Sequence, residues 1–159
     1  MSENPATPQT FQVGHPGHSE LHLQASPIEG ASQHHWKLTA IGPLELLELV
    51  AQWRQKVESC RDLRQVPLPQ GHSPAELLLK ELLLKARGEW KLPYTEEELC
   101  HCRAVATQKV LEAIAQGAHT PEKVSRWTSA STSCGSCRKD VTSLLDYYLN
   151  KPSPHAVSE

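Results

Sequence analysis

The first patterned stretches of the chain alternate apolar and polar residues. In both 21–25 (LHLQA) and 36–40 (WKLTA), every second side chain is apolar, which is the period of a half-buried strand. The segment between them contains Pro27 and Gly30 and predicts a loop. We therefore predict an antiparallel β-hairpin, which is only marginally stable in water unless it packs against another element.

Two stretches after the hairpin change to helical periodicity. Apolar residues recur every three or four positions across 44–57, which predicts an amphipathic helix with one face to bury. Ser73 and Glu76 then form a capping box with Pro74 at the first helical position, marking a second helix. The six leucines within 77–84 cover more than one face of that helix, so we expect a core helix.

Three shorter helices are predicted in the last third of the chain. Thr107 is positioned to cap the first, which Gly117 ends, and Thr120 with the following proline opens the second. The third starts close to Cys137 and ends before Pro152.

These patterns divide the chain into four segments. We predict a disordered Pro-rich tail over 1–20, an α+β region of unknown role over 21–90, a helical module over 95–150 and a second disordered tail over 151–159. The predicted fold class is α+β: a small N-terminal β-hairpin with two amphipathic helices, followed by an all-α module.

Composition and charge exclude several classes of partner. The chain has 159 residues, of which 38% are hydrophobic, enough for at least part of it to bury a core. The formal net charge is −2 and no Lys/Arg block stands out, so we expect no binding to nucleic acid or to a membrane surface. The polar, Pro-rich N-terminus does not have the pattern of a secretory signal. We therefore expect the protein in the reducing cytoplasm.

Four of the five cysteines lie in two tight pairs, Cys100-His101-Cys102 and Cys134-Gly135-Ser136-Cys137. In a reducing compartment, such pairs indicate metal binding or redox chemistry more than structural disulfides. A [2Fe–2S] cluster needs four soft anionic ligands, two on each iron. Because a helical hairpin between the pairs brings the chain back on itself, we interpret the four cysteines as the ligands of one such cluster.

Other interpretations of the cysteines remain open. Four thiolates also make a structural zinc site, although zinc ligand pairs are usually separated by at least two residues. A dithiol redox pair of Cys134 and Cys137 is a further possibility, but it leaves Cys100 and Cys102 without a role. Cys60 stands alone in the sequence and is interpreted as a buried or partly buried structural thiol, with a reactive thiol or a transient ligand as the alternative.

The residues around the pairs suit an anionic group. The hydroxyl side chains at 131–133 and Ser136 are short donors, and the helix after Cys137 directs its N-terminal amides toward the site. Arg103 and Arg138 are among the basic residues close in sequence. Donors and positive charge near the sulfurs favour the reduced state of a cluster and raise its potential.

The segments LCHCRAVAT at 99–107 and TSCGSC at 132–137, joined by a helical pair, resemble the [2Fe–2S]-binding domain of bacterioferritin-associated ferredoxin. The same domain occurs in NifU-type iron–sulfur assembly proteins. The resemblance covers about 99–149. It implies an all-α module with the cluster between two loops near the surface, and the four paired cysteines as its ligands.

No nucleophile–base set, paired carboxylate motif or phosphate-binding glycine loop is present, so we do not expect an enzyme. The expected function is a cytoplasmic one-electron carrier to a protein redox or iron-metabolism partner. The resemblance implies, on its ferredoxin branch, an iron-storage partner whose ferric iron is reduced for release. The alternative is an iron–sulfur assembly or transfer protein, or a cluster-dependent regulator, in which 21–90 binds a partner.

Overall fold

A computed structural model of the chain describes residues 7–150. The predicted tail at 151–159 and the first six residues of the predicted tail at 1–20 lie outside this range. Within the described range, no helix combines the length and the apolar character needed to cross a bilayer.

The described residues form two compact units. The first comprises 7–71 and 75–90, and the second comprises 72–74 and 91–150. All four paired cysteines belong to the second unit, and Cys60 belongs to the first.

The first unit contains a three-stranded antiparallel sheet in the order β1–β2–β3. Its strands are β1 (Gln9–His15), β2 (Ser19–Pro27) and β3 (His34–Ile41). The pairing of β2 with β3 agrees with the predicted hairpin. The prediction of only two strands is wrong, because β1 forms within the segment that was predicted to be a disordered tail.

The additional strand has a local physical cause. Phe11 and Val13 alternate with polar neighbours, and Val13 is buried, so β1 offers the sheet one apolar face. Near its end, β1 contains Gly14, which pairs with Glu20 and has a φ of +102°. A Cβ at Gly14 would collide with the carbonyl oxygen of Ser19, so this strand position needs glycine.

Helix α1 (Leu44–Glu58) packs on β3 and buries Leu46, Val50 and Val57. Two of its polar side chains also close the outer edge of β3. The Leu38 N–H donates to Glu58 Oε1 at 3.1 Å, and Arg54 Nε donates to the Leu38 carbonyl at 3.3 Å. At this point, side chains replace the missing neighbouring strand as hydrogen-bond partners.

Helix α2 (Pro74–Ala86) begins at the predicted proline, and all six of its leucines are buried. Side chains from the sheet, α1, α2 and the segment between the helices form one apolar core in the first unit. Its buried members are Val13, Leu21, Leu23, Leu38, Leu46, Val50, Val57, Leu63, Val66, Ala75, Leu78, Leu79, Leu82 and Leu83.

The second unit contains two short strands and three helices. They are β4 (Glu98–Cys100), β5 (Val105–Ala106), α3 (Thr107–Gln116), α4 (Pro121–Thr128) and α5 (Arg138–Asn150). The prediction of an all-α module is wrong, because β4 and β5 pair as an antiparallel ladder. Helix α3 packs on both α4 and α5.

Two buried apolar side chains and two hydrogen bonds of Thr107 stabilise the two-stranded ladder. Leu99 and Val105 are 2% and 3% exposed, so each strand contributes one apolar residue to the core. The Thr107 hydroxyl donates to the Glu96 carbonyl at 2.6 Å, and its N–H donates to the Glu97 carbonyl at 2.8 Å. Thr107 therefore connects the segment just before β4 to the first residue of α3. It does not cap the helix as predicted.

Helix α4 starts as predicted. The Lys123 N–H donates to Thr120 Oγ1 at 3.2 Å, and Pro121 occupies the first turn. Apolar side chains of the three helices form the core of this unit. Its fully or almost fully buried members are Val110, Ile114, Val124, Val141, Leu144, Leu145 and Tyr148.

Candidate metal centre

The first cysteine pair lies on the turn between β4 and β5. Cys100 is the last residue of β4, and the chain reverses direction before Val105. Ala104 completes the reversal with a left-handed φ of +50°, which a non-glycine residue adopts only at some cost. The turn leaves Cys100 buried and Cys102 exposed.

The second pair lies on the loop between α4 and α5. Ser129, Ser131 and Gly135 have φ values of +69°, +62° and +72°, so the chain bends repeatedly before α5 begins. A Cβ at Gly135 would meet no atom within 4 Å. The glycine is therefore favoured by its left-handed backbone angle.

The two loops bring all four paired cysteines together. The Cys102 thiol donates to Cys134 Sγ at 3.1 Å, across 32 positions of sequence. The side chains of Cys100 and Cys137 also lie close enough to interact. Cys100 and Cys137 are 2% and 5% exposed, whereas Cys102 and Cys134 are exposed. The site thus consists of a buried sulfur pair, Cys100 and Cys137, and a surface sulfur pair, Cys102 and Cys134. Each pair has one cysteine from each loop.

Two serine hydroxyls contact the sulfurs. Ser136 Oγ lies 3.0 Å from Cys134 Sγ, and Ser131 Oγ lies 3.0 Å from Cys137 Sγ. The hydroxyl and then the backbone N–H of Ser136 lower the pKa of Cys134 to about 7, helped by the Cys102 thiol. This sulfur is therefore partly a thiolate at neutral pH, which is the form that binds metal.

Backbone N–H groups act on the buried sulfur of Cys100. Burial raises its pKa, but hydrogen bonds from the backbone of Ser131 and of Arg103, with a further one from Cys137, bring the pKa below its ordinary value. The pKa of Cys102 is raised, first of all because its thiol donates to Cys134. Both loops therefore direct N–H or O–H donors at sulfur, an arrangement that favours the anionic form.

The donor set fits a [2Fe–2S] cluster in its chemistry: four cysteine sulfurs from two loops, with donors that stabilise thiolates. Among residues 7–150, no group of three or more His, Cys, Asp or Glu side chains is spaced to hold a metal ion, so the fit rests on the chemistry of the donors.

His101 and Arg138, which neighbour the cysteines, contact carboxylates of other residues. His101 Nδ1 lies 2.6 Å from Glu98 Oε1, and the His101 side chain is 76% exposed, consistent with a solvated spacer between two cysteines. Arg138 donates to Glu122 Oε1 at 2.5 Å and is engaged in that surface ion pair. Arg103 contributes through its backbone.

Cys60 is only partly buried, and its thiol donates to the Val57 carbonyl at 3.0 Å. Burial raises the pKa of this thiol, which keeps it protonated and weakly reactive at neutral pH. These are the properties of a structural thiol.

The sequence did not distinguish the functional hydroxyls from their neighbours. Ser131 and Ser136 contact sulfur, but the Thr132 hydroxyl donates to the Ser129 carbonyl at 2.7 Å. The difference arises from the left-handed bends of the loop, which no local composition signals. The contribution of the Ser131 and Arg103 N–H groups was missed for the same reason.

Comparison with known proteins identifies the site region. Residues 99–147 match the model of the BFD-like [2Fe-2S] binding domain family, as the cysteine motifs predicted. No curated protein and no solved structure matches the chain. The match contains all four paired cysteines and supports iron–sulfur cluster binding by the second unit.

Proposed function

We propose that this protein is a one-electron carrier in which Cys100, Cys102, Cys134 and Cys137 hold a [2Fe–2S] cluster. A bound [2Fe–2S] cluster supplies one-electron redox chemistry. The observation that carries the proposal is the division of the sulfurs into a buried pair and an exposed pair within one site. The buried pair anchors the group, and the exposed pair gives a docked protein close access to it.

The chain's own donors suit a site that alternates between two charge states. The Ser131 and Ser136 hydroxyls and the N–H groups directed at Cys100 and Cys134 all stabilise negative charge on sulfur. Because the reduced state carries one more negative charge, these donors favour it and raise the reduction potential.

The proposed partner is a protein of redox or iron metabolism in the cytoplasm, and the chain is not proposed to catalyse a reaction by itself. Two thiols exposed at the surface support a reducing compartment, where they stay available as ligands. The net charge of −2 gives no support to nucleic acid or an anionic membrane as a partner.

The ligand assignment is tested by anaerobic preparation of the full chain. We expect a brown protein with iron and acid-labile sulfide in equal amounts and an EPR signal on reduction. Cys134→Ala should lose most of the bound iron, whereas Cys60→Ala, which changes a cysteine of the other unit, should retain it. A colourless protein with bound zinc, or full colour in Cys134→Ala, contradicts the proposal.

A second function, transfer of the cluster to another protein, is favoured by the exposure of Cys102 and Cys134. Thiols of an acceptor can reach these two sulfurs and replace them by ligand exchange. Repeated reduction and reoxidation in a spectroelectrochemical cell, with and without an apo-acceptor, separates the two functions. A carrier keeps its visible spectrum over many cycles, whereas a transfer protein loses it to the acceptor before cycling is complete.

A further inference from the structure

The surface sulfur pair has a property that cluster binding does not require. Cys102 Sγ and Cys134 Sγ lie 3.1 Å apart on two different loops, and both residues are exposed. The other two cysteines of the site, Cys100 and Cys137, are 2% and 5% exposed. Oxidants dissolved in water therefore have direct access to one pair and not to the other.

We propose that, in the cluster-free protein, Cys102 and Cys134 form a peroxide-reactive pair that closes into a disulfide between the two cysteine loops. The proposal goes beyond the carrier function, since it concerns the protein before a cluster is loaded or after one is lost. It assigns a reversible modification to two residues that otherwise serve as candidate ligands.

The geometry requires little movement. Disulfide sulfurs lie about 2.05 Å apart, so the two sulfurs must approach by about 1 Å from their present separation. Both side chains are exposed, and rotation about their Cα–Cβ bonds is not blocked by core packing.

The chemistry balances with a peroxide as the oxidant. The Cys134 sulfur attacks one oxygen of hydrogen peroxide, which gives a sulfenic acid at Cys134 and one water. The Cys102 sulfur then attacks the Cys134 sulfur, forming the S–S bond and releasing a second water. Together the two thiols lose two electrons and two protons. Ser136 Oγ lies 3.0 Å from Cys134 Sγ, the sulfur that attacks first, and Cys102 Sγ at 3.1 Å is placed as the resolving sulfur.

The product would control cluster loading. A disulfide removes two of the four candidate ligands, while the buried thiols of Cys100 and Cys137 remain reduced. The oxidised chain cannot accept a cluster until a thiol reductant restores Cys102 and Cys134. Oxidation at this step is reversible, so the pair protects its own sulfurs from irreversible sulfinic acid formation.

The test uses the full cluster-free chain, fully reduced and then treated anaerobically with a small excess of hydrogen peroxide. Alkylation under denaturing conditions, followed by mass spectrometry, counts the remaining thiols. We expect the loss of two alkylated positions and a peptide that links Cys102 to Cys134, with Cys60, Cys100 and Cys137 still alkylated. Alkylation at all five cysteines, or a link through Cys100, Cys137 or Cys60, overturns the proposal.

Two matched variants sharpen the result. Cys102→Ser removes the resolving thiol, so Cys134 should be captured as a sulfenic acid by dimedone; Cys100→Ser should still give the 102–134 link. Failure of Cys102→Ser to react with dimedone overturns the proposed order. Circular dichroism of each variant before treatment identifies any that fail to fold, and the unaltered chain still provides the decisive peptide.

Reloading separates this proposal from the carrier function. Oxidised chain mixed with ferrous iron and sulfide should gain visible absorbance only after dithiothreitol is added. Full loading without the reductant overturns the control of loading by the disulfide. If the 102–134 link forms but neither form ever takes up a cluster, the carrier proposal fails while the disulfide stands.

Discussion

At the scale of single residues, two hydroxyls act on two different sulfurs. Ser131 lies beside buried Cys137, and Ser136 lies beside exposed Cys134. Ser131 also has a left-handed φ of +62°, so changing it alters a strained backbone as well as a hydrogen bond. Ser136 has no such constraint and isolates the effect of the hydroxyl.

We therefore predict that Ser136→Ala lowers the reduction potential of the cluster-loaded protein. One hydrogen bond of about 1 kcal/mol corresponds to about 40 mV for a one-electron couple. Potentiometric titration followed by visible absorption measures the shift. Ser143→Ala, which removes an exposed hydroxyl bound only to the Lys139 carbonyl of α5, should leave the potential unchanged, and an unchanged or higher potential in Ser136→Ala contradicts the role given to this hydroxyl.

At the scale of elements, the short strands of the second unit depend on the junction between β4 and α3. Thr107 is 6% exposed and joins that junction through its hydroxyl and its N–H. The bonds position the turn that carries Cys100 and Cys102. Loss of the hydroxyl would leave the Glu96 carbonyl without this donor in a partly buried place.

Thr107→Val should therefore destabilise the second unit by about 1 kcal/mol, which corresponds to a midpoint about 5 °C lower for a unit of this size. Thermal unfolding of the cluster-free chain, followed by circular dichroism, measures the change. Thr142→Val is the matched control, because its hydroxyl donates to the Arg138 carbonyl on the exposed face of α5. Equal midpoints for the two variants would show that the Thr107 hydroxyl does not hold the junction.

His119, which follows α3, makes stability depend on pH. Burial lowers its pKa below the ordinary value of 6.5, and the charges of His72 and Lys123 act in the same direction, against a weaker opposing bond to the backbone of Ile114. Its Nε2 is buried without a partner in the described part of the chain. The unfolded chain therefore binds this proton more readily, and the free energy of unfolding falls as pH drops from about 6.5 toward the folded pKa.

We predict that His119→Gln weakens this loss of stability between about pH 7.5 and about pH 5. Urea unfolding of the second unit at both pH values measures the difference. His35→Gln, which makes the same substitution at an exposed histidine of the first unit, is the control variant. If His119→Gln loses more unfolding free energy at low pH than the unaltered chain does, protonation of His119 stabilises the folded state, and the prediction is wrong.

The same scale explains which elements were predictable from sequence. Apolar residues recur along the helices and the β2–β3 pair over stretches that are long enough for the period to be recognised. The cysteine spacing indicated that the two loops would meet. Strand β1 was missed because Pro16, Gly14 and Gly17 outweighed the short alternation around Phe11 and Val13. Strands β4 and β5 have three and two residues, too few to show a period, and their pairing depends on burial by distant helices.

At the scale of the whole molecule, the candidate cluster ligands all lie in one of the two units. The family match covers 99–147 and lies within the second unit. The first unit has its own sheet and core. Its one cysteine is Cys60, whose thiol donates a hydrogen bond to the Val57 carbonyl. All four candidate ligands therefore lie in the second unit.

Because the candidate ligands all lie in the second unit, we predict which elements cluster binding stabilises. A ligand stabilises only the state that binds it, so loading should raise hydrogen-exchange protection in β4, β5 and the three helices α3 to α5. Strands β1 to β3 and helix α1 should keep the protection they have in the cluster-free chain. Exchange followed by mass spectrometry on loaded and cluster-free full chain measures both, with Cys134→Ala treated identically as the control. Comparable gains in β1 to β3 would mean that the two units share one cooperative transition, and the first unit would then contribute to holding the cluster.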